Sequence, residues 1–182
     1  MIKSAQASMV GVAGLALVGA FVLACASAGT VSAVMLPPPD PSQKGIDLYK
    51  QGQYAQAEAA LRGVKGAEAQ AYLAGSLAKQ GKFQEGADAA RAAVAANPTQ
   101  PVAVEALGES LVGLKQYDAA IDAMSQALAK KNDLAFAYYW RGKAYNEKKQ
   151  TARMVDDFQA FVKLAPKAPE AVAVKRLLAA LR

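Results

Sequence analysis

Histidine is absent from this 182-residue chain, and cysteine occurs once, as Cys25. A histidine-based catalytic triad, a His/Cys zinc site and an intramolecular disulfide are all excluded. Runs of β-branched residues are scarce after residue 35, so strands have little to build on. Proline is confined to Leu36–Pro41 and to Pro98, Pro101, Pro166 and Pro169, which leaves long stretches open to helix. No phosphate-cradling loop is present, because Gly63 and Gly66 lack a following Lys-Ser/Thr and no strand precedes them. Adjacent Asp156 and Asp157 point in different directions on a helix and read as solvent-facing charge, not as a general acid/base pair. No catalytic, metal-binding or cofactor-binding residue is expected, and no cofactor; the chain does not read as an enzyme.

What is abundant is alanine, the best helix former. With 53% hydrophobic and 20% charged residues, the chain has enough apolar mass for a continuous core. The formal net charge is +6, from 21 basic and 15 acidic residues, and it is spread along the chain as on ordinary solvated helices. Lys130, Lys131, Arg141, Lys143, Lys148, Lys149 and Arg153 gather near one another in sequence. They are not interleaved with exposed aromatics, so no nucleic-acid partner is expected.

Residues 1–28 differ from all that follows. Lys3 precedes an uncharged apolar stretch from Met9 to Cys25, and small residues come next, as in an export leader. Three readings fit: cleavage after Ala28 or Ala33, a lipoprotein in which Val22-Leu23-Ala24-Cys25 resembles a lipobox and Cys25 is lipidated, or an uncleaved membrane anchor. The first two place the chain in the periplasm or cell envelope. Residues 29–41 form a Pro-rich linker, stiff and extended at LPPPDP, and Asp40-Pro41 is a plausible N-cap and first helical residue.

From residue 42 onward the chain repeats. Ala67–Pro98 reads as two helices about Gly81, with an apolar period near 3.6 on both sides. Ala74, Gly108 and Gly142 are 34 apart, as are Gly86, Ala120 and Met154, and Pro98, Asn132 and Pro166. This register resembles the tetratricopeptide repeat, a helix-turn-helix unit of that length. The resemblance implies an all-α, right-handed solenoid of about four helix pairs (42–66, 67–100, 101–134, 135–168), closed by a capping helix at 169–182 whose apolar stripe is Ala171, Val174, Leu177 or Leu178, and Leu181. Repeat 4 departs from the pattern at Arg141, where leucine is common, and at Lys149, Thr151 and Met154.

In that family the first helices line a concave groove. The register assigns to it Glu68, Ala71, Gly75 and Ala78 in repeat 2, Glu105, Glu109 and Val112 in repeat 3, and Phe136, Tyr139, Lys143 and Asn146 in repeat 4. Phe136 and Tyr139 have no packing duty in the pattern and are candidates to anchor a peptide. One family subgroup clamps chaperone termini with groove lysines, asparagines and an arginine; Ala71, Gly75, Glu105 and Glu109 stand at those positions instead. The resemblance therefore implies a scaffold for a protein or peptide partner, in assembly of a secretion, pilus or outer-membrane complex. A peptidoglycan-associated or enzyme-regulating adaptor, or a membrane-anchored module facing the cytoplasm, is the alternative.

Overall fold

The computed structural model describes residues 40–181. The predicted leader, its lipobox Cys25 and the linker up to residue 39 lie outside the described residues. Within them the chain is helical throughout: α1 (Pro41–Lys50), α2 (Tyr54–Leu61), α3 (Ala67–Lys79), α4 (Phe83–Ala96), α5 (Pro101–Gly113), α6 (Tyr117–Lys130), α7 (Ala135–Glu147), α8 (Thr151–Leu164) and α9 (Pro169–Ala180). None of these helices is long and apolar enough to cross a membrane.

Helix starts follow local chemistry. Proline occupies the first turn of α1, α5 and α9, where its missing N–H costs nothing. The Asp40 carboxylate accepts from the Ser42 backbone N–H at 2.9 Å, and the Gln100 side chain accepts from that of Ala103 at 2.6 Å, so two otherwise orphaned donors are satisfied. Helix α2 stops at Leu61, just before Gly63, whose φ of +85° is in the left-handed region.

Each helix packs on its partner in the pair and on the next pair: α1 with α2, α3 with α4, α5 with α6 and α7 with α8, while α3 lies between α1 and α5, and α5 between α3 and α7. The result is an array in which stability is a sum of pairs and their nearest-neighbour interfaces. Alanine at 74, 90, 120, 127, 137 and 144 is buried, and backbones draw together because nothing larger holds them apart. At Gly108 the approach is close enough that a Cβ would lie 2.6 Å from that of Trp140. Larger side chains, among them Leu107, Leu111, Met124 and Trp140, fill the spaces above and below. A second cluster, Tyr145, Met154, Phe158, Phe161, Ala171 and Val174, closes the C-terminal end.

The last helix covers repeat 4 through part of its expected stripe. Ala171 and Val174 are buried and Leu178 is half-buried, but Leu177 and Leu181 are 38% and 49% exposed. Helix α9 packs on α8 and does not continue the α3–α5–α7 stack onto α7. In the 34-residue register Arg176 falls where Ala74, Gly108 and Gly142 stand, so α9 carries a long side chain at the position that elsewhere permits close approach.

Candidate protein-binding groove

The first helices present one register of side chains to the concave face. In repeat 2 the expected residues do not line it: Ala71, Gly75 and Ala78 are buried, and only Glu68 is exposed. Tyr49 of α1 explains the middle one, for a Cβ at Gly75 would come within 2.8 Å of its ring. Tyr49 in turn packs edge-on against Tyr54 and Tyr72, at centroid distances of 5.4 and 5.2 Å. Burial, with the field of Glu105 added, pushes its hydroxyl well above the usual tyrosine range.

In repeat 3, Glu105 and Glu109 are held by one cation. Lys79 Nζ lies 3.0 Å from Glu105 Oε1 and 2.8 Å from Glu109 Oε2, with the three side chains 17–24% exposed. Burial penalises the Lys79 ammonium, yet the two carboxylates outweigh it and its pKa stands above the ordinary lysine value. Glu105 shifts up because burial disfavours its carboxylate more than Lys79 favours it. Val112 is half-buried at the end of this row.

Repeat 4 divides its four candidates. Phe136 packs against Phe161 at 5.6 Å and lines a crevice with Pro101 and Val104, so it has the packing duty that the repeat pattern does not assign. Tyr139 is half-buried with its ring 5.0 Å from those of Trp140 and Phe161. Burial, then the Glu170 and Glu109 carboxylates, raise its pKa. Lys143 Nζ sits 4.9 Å above the Trp140 ring and 5.7 Å from that of Tyr139, within cation–π range. Asn146 is exposed.

Tyr139, Lys143 and Asn146 line a cavity of about 200 Å³ closed on its other sides by Phe158, Ala173, Val174 and Leu177. It occupies the gap left where α9 fails to stack on α7. Ala173 and Leu177 are therefore groove residues beyond those assigned from the register, and Glu170 lies one turn before Ala173 on the same helix; the three stand 34 residues beyond Tyr139, Lys143 and Phe136 respectively. Among the larger hollows, one of about 290 Å³ beside Val94 and Ala123 and one of about 340 Å³ between α8 and α9 lie away from this row of polar groups. Among the described residues no group of acidic side chains is close enough to hold a metal ion.

Asp157 also differs from expectation. It is 4% exposed and not solvent-facing, because Arg141 reaches it from α7 at 2.7 Å.

Comparison with known proteins fits this architecture. A family model described as tetratricopeptide repeat matches residues 42–101 and 105–182, the second stretch including α9. The fold is similar to that of TTC0263, a thermophilic TPR protein in Thermus thermophilus, with a TM-score of 0.66 at 19% identity over 76% of this chain and 79% of that one. It is also similar to MamA of MSR-1 (TM-score 0.59, 22% identity, 76% of this chain and 81% of that one). MamA from Desulfovibrio magneticus RS-1, residues 41 to the end, gives a TM-score of 0.59 at 21% identity over 76% and 82%. No curated protein sequence matches significantly.

Proposed function

The chain belongs to the tetratricopeptide repeat family, and on that premise we propose that it is a non-catalytic interaction scaffold of the bacterial cell envelope. Its N-terminal segment attaches or exports it, and the concave groove of α5, α7 and α9 holds a protein partner. The family and the fold support interaction with proteins in general. Envelope placement is supported by residues 1–28 alone, whose short basic start, apolar run and small residues suit export. Assembly of a secretion, pilus or outer-membrane complex is the kind of task such a scaffold serves.

One observation carries the binding reading. Partly buried Glu105, Glu109, Tyr139 and Lys143 converge on one face beside an open apolar cavity, a mixture of fixed polar groups and apolar surface suited to a peptide. A photo-crosslinking residue placed at Asn146 should capture a discrete partner from native envelopes, and the same residue at exposed Asp118 should not. Equal capture at both positions, or at neither, would refute groove binding. Intact-mass measurement tests placement: an unprocessed chain in the cytoplasmic fraction would remove the export reading, and added lipid mass at Cys25 would select the lipoprotein form.

A further inference from the structure

Resting on that reading of the groove, we infer that its partner is a peptide segment carrying a lysine or arginine close to a large apolar side chain. Charge is the first argument. Glu105 and Glu109 stand on α5 and are paired by Lys79, and Glu170 stands on α9 near enough for its charge to act on Glu105 and Tyr139. Glu170 forms no ion pair among the described residues, and its Oε2 is buried without a hydrogen-bond partner. The side chain as a whole is only partly buried, so an incoming donor reaches this unpaired carboxylate from its open side. Lys143 does not supply it, being held over the Trp140 and Tyr139 rings. A cationic side chain would meet three carboxylates against the two ammoniums of Lys79 and Lys143, a net negative field that disfavours an acidic one.

Apolar surface is the second argument. The exposed large hydrophobic residues, Leu164, Val172, Leu177 and Leu181, all fall at the C-terminal end of the described chain. Leu177 adjoins the cavity of about 200 Å³ between Tyr139, Phe158 and Val174, which is roomy enough for one large side chain. Tyr139 links the two halves, since its ring lines the cavity and its hydroxyl lies in the field of Glu170 and Glu109. Neighbouring helix axes are about 8–10 Å apart. In an extended segment, the cationic and apolar side chains would therefore be about three residues apart.

Panning a random 12-residue phage-displayed peptide library against the full-length chain in detergent tests this. Recovered peptides should be enriched in Lys or Arg with Leu, Ile, Met or Phe within about four positions. Fluorescence-anisotropy affinity of one such peptide should fall about tenfold in Glu170→Gln and about tenfold in Leu177→Ser, with melting temperature unchanged in both. Blocking the groove with Asn146→Trp should abolish binding. Peptides that depend on the groove yet lack basic residues, or that bind Glu170→Gln as tightly as the parent, would overturn the inference and leave groove binding standing. Failure to recover any peptide sensitive to Asn146→Trp would overturn both. A concentration-dependent dimer in sedimentation, broken by Leu177→Ser, would assign the apolar end to a second copy and overturn the inference.

Discussion

Arg141 donates from Nε and Nη2 to the two carboxylate oxygens of Asp157, at 2.9 and 2.7 Å, bridging α7 to α8 as a two-pronged pair. Its Nη1 donates to Ser125 Oγ at 3.0 Å, which ties α6 into the same contact, and the Tyr138 ring lies 5.6 Å from the guanidinium. The bonds to Asp157 hold Arg141 more firmly protonated than usual. Asp157 being buried, this arginine at a position where leucine is common in the family is not a solitary departure: a carboxylate on the neighbouring helix compensates it.

The pair should behave as a unit. Arg141→Leu alone, or Asp157→Leu alone, should cost about 3 kcal/mol, because each leaves a charge buried without its partner. The double replacement should cost much less than the sum. Urea unfolding of the four proteins measures the cycle, and additive losses would show that the two groups do not couple.

Glu58 gives the array a pH dependence. It is 7% exposed and accepts from Lys82 at 2.8 Å and Gln80 at 2.8 Å, with Arg62 as a third donor. Bonds from Lys82, then Arg62, lower its pKa from 4.5 to about 2. A lowered carboxylate pKa means stabilisation that is full above the unfolded value and is lost as pH falls through the folded one. Melting temperature should therefore drop between pH 4.5 and about 2, and Glu58→Gln should lose roughly 2 kcal/mol at pH 7 while showing a shallower acid transition.

Lys79→Met should expose the mutual repulsion of Glu105 and Glu109. Both are partly buried, so the loss at pH 7 should be about 2–3 kcal/mol, below that of a fully buried pair. Glu105 already has a raised pKa from burial, and losing Lys79 raises it further. A raised carboxylate pKa favours the fold at low pH and works against it as pH rises through the folded value. The variant should thus regain stability relative to the parent when pH is lowered from 7 to 5, as thermal melts can check.

The turns within repeats 3 and 4 hold lysines in the left-handed region, Lys115 at φ 59° and Lys149 at φ 57°, where repeats 1 and 2 have Gly52 and Gly81 at 75° and 76°. A side chain there costs about 1–2 kcal/mol that glycine avoids, partly offset by glycine's greater entropy when unfolded. Lys115→Gly and Lys149→Gly should each stabilise by roughly 0.5–1 kcal/mol. A lower melting temperature in either would show that the lysine makes a compensating contact.

Residue order by itself determined the helices and their pairing. Alanine-rich segments with a period near 3.6, broken by glycine and proline and repeated at 34 residues, leave hardly any other way to bury the apolar face. For the same reason Glu105, Glu109, Tyr139, Lys143 and Asn146 could be assigned to one helix face, since a fixed register fixes which face a residue occupies. Tertiary structure decided the rest. That Tyr49 covers Gly75, that Lys79 spends itself on two glutamates, that Phe136 turns to Phe161 and that Arg141 finds Asp157 all depend on contacts between different helices, which no periodicity within one helix specifies. The standoff of α9 from α7 was half legible, since Arg176 occupies the small-residue position of the repeat, but the cavity beside Leu177 that it leaves depends on how the two helices meet.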